Sequence, residues 1–271
     1  MNMETDTIRK CSEILGEEAP GIVSTGYPAL DASLGGGWKN ETLNVIASRP
    51  AMGKTSLALD FSVKIARKGV PVLYFSLEMS GAQLCRRLIK RTIGGMQDYH
   101  FNLPDGAESA VKELSELPLY IDDTPGLSIE DCEEKVKKVV EEKEIGIIFI
   151  DYLQLMKGRE GLQNFRTYEV DDIVRSLKAL AREVNVPIVV LSQLSKAISR
   201  SAHVRPQLYD LRETSELEPA SDTILLIGED TMFLDKSEEG GRAEFDSVFD
   251  LDRCSFVDIN QAVCPNDESK A

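Results

Sequence analysis

Leu43-Asn44-Val45-Ile46-Ala47-Ser48-Arg49-Pro50-Ala51-Met52-Gly53-Lys54-Thr55-Ser56-Leu57 decides the fold. An apolar run enters a tight loop, then Gly-Lys-Thr, then Leu57, Phe61 and Ile65 at helical spacing. That order reads as strand, phosphate-binding loop and helix. A polyphosphate needs converging backbone N–H groups, a mobile cation and a hydroxyl for Mg²⁺. Gly53 lets the backbone approach, Lys54 reaches the β- and γ-phosphates, Thr55 holds the metal, and the helix opening at Lys54 adds its N-terminal partial charge. Residues 49–56, that is Arg49, Pro50, Ala51, Met52, Gly53, Lys54, Thr55 and Ser56, form the expected cradle. The usual G-x-x-x-x-G-K-[ST] pattern asks for glycine where this chain has Ser48. The bland alternative is a strand-to-helix turn that happens to contain Gly-Lys-Thr, but the flanking strand and helix patterns are the context the motif requires.

Outward from that stretch, apolar runs at 72–75, 119–121, 145–150, 187–191 and 223–227 alternate with helical stripes. Among the helices, Ser80 precedes Leu84, Leu88 and Ile89, Ser128 precedes Ile129, Cys132 and Val136, and a third stripe runs from Val170 to Val184. Ser80 and Ser128 are natural N-caps. Strands without internal alternation, separated by amphipathic helices, predict an α/β domain around a mostly parallel sheet covered on both faces. Residues 1–20 read as a short helix and linker, 21–228 as the domain, and 229–271 as an atypical acidic tail in which the pattern dissolves.

In open α/β sheets the ligand sits beyond the carboxyl ends of the strands. Three strand ends besides the phosphate loop carry a suitable group. Glu78 follows the second strand; from spacing it is equally a base that polarises water or an acid favoured by a helix start. Asp151 follows four apolar residues, the usual position of a second Mg²⁺ anchor acting through water, with a cap or turn as the alternative. Gln193 ends Leu191-Ser192-Gln193 and suits a γ-phosphate sensor; alone it would be an ordinary loop amide.

At 271 residues with 42% hydrophobic and 28% charged residues, the composition is that of a globular domain. No apolar run approaches a membrane span, the N-terminus lacks a signal peptide's order, and five scattered cysteines predict reduced thiols and a cytoplasmic setting. His100 and His203 have no companion at metal-ligand spacing, and Trp38 reads as packing, not as a base-stacking platform. Net charge is −15, awkward for a nucleic-acid partner. The charge is uneven, however: residues 228–271 hold twelve acids against four bases, whereas 196–212 hold Lys196, Arg200, Arg205 and Arg212 against Asp210. A basic segment after Gln193 suits a nucleic-acid backbone, although charge alone favours a solvated loop.

Taken together, the phosphate loop, Phe75-Ser76-Leu77-Glu78-Met79, Ile150-Asp151-Tyr152-Leu153-Gln154-Leu155-Met156, Leu191-Ser192-Gln193-Leu194 and Asp210-Leu211-Arg212-Glu213 resemble the C-terminal motor domain of DnaB-type replicative helicases, in order and spacing, from about Gly21 to Ile227. The resemblance implies a RecA-like P-loop NTPase core and a homo-hexameric ring with ATP and Mg²⁺ between subunits and single-stranded DNA in the channel. It implies Glu78 as catalytic base, Lys54 and Gln193 on the phosphates, Thr55 and Asp151 on the metal, and Arg212 and Glu213 on DNA. A helicase loader or primase is the implied further partner. The family's N-terminal collar domain is not in this sequence, so primase contacts made there are not expected.

Two further departures bear on activity. Arg212-Glu213-Thr214-Ser215 lacks the glycine of the family's Arg-Glu-Ser-Gly, and Phe249 and Leu251 stand where a Lys-x-Arg-x-Gly finger motif belongs. Arg253 and Arg242 are the nearest finger candidates. Losing a finger supplied in trans removes several orders of magnitude of rate. Two readings follow: a helicase motor, or a non-translocating ATP-binding ring-interaction protein that kept the fold. A RecA-like signalling ATPase or recombination mediator is a third, against which the Asp-Leu-Arg-Glu segment argues.

Overall fold

The computed structural model describes residues 21–93, 107–161, 166–194, 205–211, 216–250 and 255–263. Strand β1 (Ile22–Val23) pairs antiparallel with β2 (Trp38–Lys39) around helix α1 (Pro28–Ser33). Gly37 is obligatory in this lead-in: at φ +140° a Cβ would lie 2.2 Å from the Val23 carbonyl oxygen. Asp31 ties the turn together, accepting from the Thr25 N–H at 2.7 Å and from the Ser24 hydroxyl at 2.5 Å.

Then follow β3 (Leu43–Ser48), α2 (Lys54–Arg67), β4 (Val72–Ser76), α3 (Gly81–Thr92), α4 (Ala107–Glu116), β5 (Leu119–Asp122), α5 (Ile129–Lys143), β6 (Ile147–Asp151), α6 (Arg166–Val184), β7 (Ile188–Gln193), α7 (Leu217–Ala220), β8 (Thr223–Ile227), β9 (Thr231–Lys236), β10 (Ala243–Asp250) and β11 (Ser255–Val263). The main sheet has nine strands in the order β11-β10-β9-β8-β3-β7-β6-β4-β5. From β8 to β5 every neighbouring pair is parallel. Both serine caps form. Ser80 and Gln83 make a reciprocal capping box, and Ser128 accepts from the Asp131 N–H.

The sheet separates two apolar cores. One, against α1, α2 and α3, gathers Phe61, Trp38, Tyr74 and Phe149; the other, against α5 and α6, gathers Phe75, Ile150, Val136, Ile173 and Leu177. The strands are buried on both faces, which is why their sequences show apolar runs and no alternation. A buried ion pair between Asp60 of α2 and Arg91 of α3 locks these two helices together within the first core. The Asp60 side chain has no solvent exposure, so removing Arg91 would strand a charge in the interior.

The acidic tail expected from 229 onward is not a tail. β9, β10 and β11 run antiparallel to their neighbours and extend the same sheet, so the boundary at 228 cuts through one folded unit. In β10, Ala243, Phe245 and Ser247 are buried while Glu244 and Asp246 alternate with them toward solvent. The acids dominate the composition there, but they occupy only the outward half of a period-two pattern. Arg205, at the start of a described segment, is also drawn into this region. Its guanidinium pairs with Asp235 at 2.7 Å and stacks 4.5 Å from the Phe233 ring centroid.

Phe245 is fully buried against Met232, its partner in register on β9. Phe245→Ala is therefore expected to cost about 3–5 kcal/mol in chemical denaturation. A loss below about 1 kcal/mol would show that the strands after 228 are not part of the cooperative core.

Candidate active site

The parallel strands end on one edge, and their register brings the chemistry together. Ser48 lies opposite Gln193 across β3 and β7, and Ser76 lies opposite Asp151 across β4 and β6. A cleft of about 520 Å³ opens at this edge. Pro50, Ala51, Gly53, Lys54, Thr55 and Ser56 form its floor, and Glu78 and Gln193 form two of its walls. Arg49 and Met52 are not among its lining residues.

The loop explains why Ser48 is tolerated. Left-handed backbone is required at Ala51 (φ +63°) and Gly53 (φ +85°), whereas Ser48 is an ordinary strand residue whose hydroxyl donates to the Arg49 carbonyl. Gly53 caps α2 without any side-chain hydrogen bond, and no acid stands in that helix's first turn. The first N–H groups of α2 therefore remain open for an anion.

Lys54 projects into the cleft, its ammonium 5.8 Å from the Tyr152 ring centroid. Burial pushes its pKa below the ordinary value, against the pull of Asp151 and Glu78. A half-buried cation of this kind gains by meeting a polyanion.

Asp151 does not line the cleft; it is buried directly behind Thr55. Burial raises its carboxyl above the usual carboxylate range, while hydrogen bonds from Thr55 and Tyr74 pull it down. The Tyr74 hydroxyl donates to Asp151 Oδ2 at 2.9 Å, and burial followed by the Asp151 charge raises that phenol well above its ordinary value. Asp151 Oδ1 is buried with no hydrogen-bond partner in full geometry. An orphaned carboxylate oxygen beside a threonine hydroxyl fits a hydrated divalent cation. Among the described residues no group of three or more His, Cys, Asp or Glu forms an all-protein metal cage. Mg²⁺ in such sites draws most of its ligands from water and phosphate, so the two observations agree.

Glu78 is exposed on a turn fixed from two sides. The Ser76 hydroxyl donates to the Met79 carbonyl at 2.6 Å, and the Leu77 N–H donates to the Asp151 carbonyl at 2.8 Å. Gln193 is held by Gln154, whose Oε1 accepts from the Gln193 N–H at 3.2 Å and whose Nε2 donates to the Gln193 carbonyl and the Ser192 hydroxyl.

The cleft also contains residues that the sequence reading does not single out: Gln83 and Arg87 on α3, and Phe249 from β10 as a lining side chain. A Cβ on Gly53 would lie 3.0 Å from the Phe249 ring and 3.3 Å from Phe256, so the β10–β11 hairpin leans over the phosphate loop. Gln83 and Arg87 lie one helical turn apart, a spacing that shares a face; only the sheet order shows that this face meets the cleft.

Lys196, Arg200, Arg212, Glu213 and Arg253, together with His100 and His203, fall outside the described residues. Arg205 is inside them and committed to Asp235, which revises its expected part as a DNA-binding cation. Arg242 is exposed, with its Nε donating to the Asp235 carbonyl, and does not line the cleft of its own chain. Among the described residues no helix is long and apolar enough to cross a membrane.

Asp151→Asn keeps shape and hydrogen bonding while deleting a buried charge. The nucleotide-free protein is expected to melt about 2–4 °C higher, as about 1 kcal/mol of relief would give for a domain of this size, and the Mg²⁺·ATP-dependent rise in Tm should vanish. A Tm several degrees lower without nucleotide would contradict the account of this carboxylate.

The family model for the DnaB-like helicase C terminal domain matches residues 22–249. A probable replicative DNA helicase of Trieres chinensis is 42% identical over 224 residues, spanning 80% of this chain and 49% of its own length. The replicative DNA helicase DnaB of Rhodothermus marinus is 41% identical over 218 residues, 76% of this chain and 23% of that protein. The chain thus spans about half the length, or less, of these curated relatives. Among solved structures, a DnaB-like replicative helicase described with its interactions with primase superposes with a TM-score of 0.80 at 26% identity, covering 92% of this chain and 66% of that one. A second solved structure, of an isolated ATPase domain, gives 0.78 at 26% identity, covering 92% of this chain and 95% of that one. With the phosphate loop, the strand-end acid and the sheet order all in place, the chain belongs to the DnaB-like helicase C-terminal domain family.

Proposed function

We propose that this chain is the ATP-hydrolysing motor of a replicative DNA helicase, working in the cytoplasm as a homo-hexameric ring on single-stranded DNA. The observation that carries this reading is the convergence of Lys54, Thr55, Glu78 and Gln193 on one cleft, with Asp151 buried behind Thr55. The open N-terminus of α2 and Lys54 bind the β- and γ-phosphates of ATP. Thr55 and, through water, Asp151 would hold Mg²⁺, which supplies neutralisation of charge between the phosphates. Glu78 accepts a proton from the attacking water. Gln193 senses whether the γ-phosphate is present and passes that to the segment that follows it. Lys196, Arg200, Arg212 and Glu213 are assigned to DNA, and Arg242 or Arg253 to the neighbouring subunit's site. A primase or loader, suggested by the structural relative described with primase, is the proposed protein partner.

A second reading is favoured by Phe249, which lines the cleft where the family places a finger-motif lysine. On that reading the chain binds ATP and joins a ring without translocating. ATP hydrolysis measured with and without single-stranded DNA, alongside the mass of the assembly, separates the two. A monomer that binds ATP and ignores DNA supports the second. On the first, Lys54→Ala should abolish DNA-stimulated hydrolysis, and Glu78→Gln should lower it by about 10²–10⁴-fold. Undiminished hydrolysis in both variants would remove the site.

A further inference from the structure

We propose that Arg87 is a γ-phosphate ligand supplied by the same chain that binds the nucleotide, standing in for cationic groups that β10 does not carry. This rests on the reading of the cleft as an ATP site. Four observations converge on it. Arg87 is half-buried and lines the cleft together with Lys54, Glu78 and Gln193. It makes no hydrogen bond or ion pair with any described residue, in contrast to Arg91 one turn further on, which pairs with Asp60. Its charge acts on the Tyr74 hydroxyl, which donates to Asp151, so the guanidinium lies toward the metal and Glu78 end of the cleft. At the wall formed by β10, the side chain that reaches the cleft is the Phe249 ring, which carries no charge.

The backbone makes the position firm. α3 starts at the Ser80–Gln83 capping box, the Gly81 N–H donates to Asp123 at 2.7 Å, and Leu84 and Leu88, on either side of Arg87, are buried. The guanidinium is therefore carried by a helix anchored to the same turn that presents Glu78. An arginine without an acceptor, fixed beside a lysine and a polyanion cradle, is prepared for bidentate contact with phosphate oxygens.

In the hydrolytic step the water oxygen forms a bond to the γ-phosphorus as its proton passes to Glu78. The bond from the γ-phosphorus to the bridging oxygen breaks, and ADP departs with the electron pair. Arg87 would offset the charge on the equatorial and bridging oxygens throughout, the task an arginine finger performs from a neighbouring subunit in other nucleotide hydrolases.

The test compares full-length wild type, Arg87→Gln, Arg87→Lys and Lys54→Ala by ATP hydrolysis and by binding of fluorescent ADP and a slowly hydrolysed ATP analogue. Arg87→Gln should lower kcat by about 100-fold or more, weaken the triphosphate analogue at least about tenfold, and leave ADP within about threefold. Arg87→Lys should recover part of both losses. Mixing Arg87→Gln with Lys54→Ala subunits should restore no hydrolysis, because the intact Arg87 then sits in chains that cannot bind nucleotide. Equal loss of ADP and triphosphate binding, a wild-type rate in Arg87→Gln, or rescue on mixing would each overturn the proposal. If wild type binds neither nucleotide, the ATP-site reading itself falls; if wild type binds both and Arg87→Gln matches it, only this inference does.

Discussion

A carboxylate buried at the end of β6 governs the site. Taking Asp151 out of water is costly, and its environment offsets that cost only in part. Tyr74 donates to one oxygen, Thr55 comes within hydrogen-bonding reach, and the other oxygen is left without a partner of full geometry. The support behind Tyr74 is a column of rings. Tyr74 stacks on Phe149 at 6.0 Å, Phe149 meets Trp38 at 5.9 Å, Trp38 meets Phe61 at 5.0 Å, and Phe61 meets Tyr27 at 5.5 Å. Such pairs prefer the offset and edge-on geometries seen here. The lead-in around Asp31, the phosphate-loop helix and the metal-side strand are therefore packed as one body. The aromatic residues are structural, as the sequence reading holds for Trp38.

How much of this is legible depends on whether a residue's role is written in its neighbours along the chain. The parallel core is readable because strands buried on both faces must be apolar throughout, and the strand-end residues Glu78, Asp151 and Gln193 interrupt those runs at one position each. Sheet order is not readable: nothing local places β4 between β6 and β5, or β3 between β7 and β8. Arg87 escapes sequence reading for that reason. A basic residue beside the inner stripe of an amphipathic helix looks solvated until the sheet order sets its helix against the phosphate loop. β9 to β11 escape it because outward acids mask inward Phe245 and Ala243. The domain boundary is misplaced with them.

Ser48 shows how a motif departure resolves once backbone demand is known. Glycine is obligatory only where the chain enters left-handed space or something approaches closely. In this loop those demands fall at 51 and 53, and at 53 the Phe249 and Phe256 rings add a second reason, since any Cβ would press on them. The phosphate loop thus depends on β10 and β11, the region that composition alone assigns to solvent.

The same geometry limits how a nucleotide signal can leave the cleft. The end of β7 is clamped on both sides. The Leu194 N–H donates to the Ser48 carbonyl at 2.9 Å, while Gln154 brackets Gln193 through its N–H and its carbonyl. Residues 195–204, which carry Lys196 and Arg200, begin at that clamp and end at Arg205, pinned to Asp235 and Phe233 of β9. Of the two roots only Gln193 touches the cleft. On the proposed function, a γ-phosphate that comes and goes acts on one root while the other stays tied to the sheet. A displacement at Gln193 must then strain the Gln154 hydrogen bonds or pass into the segment beyond it. Because Gln154 holds both the N–H and the carbonyl of the sensor, its side chain sets the threshold between those two outcomes.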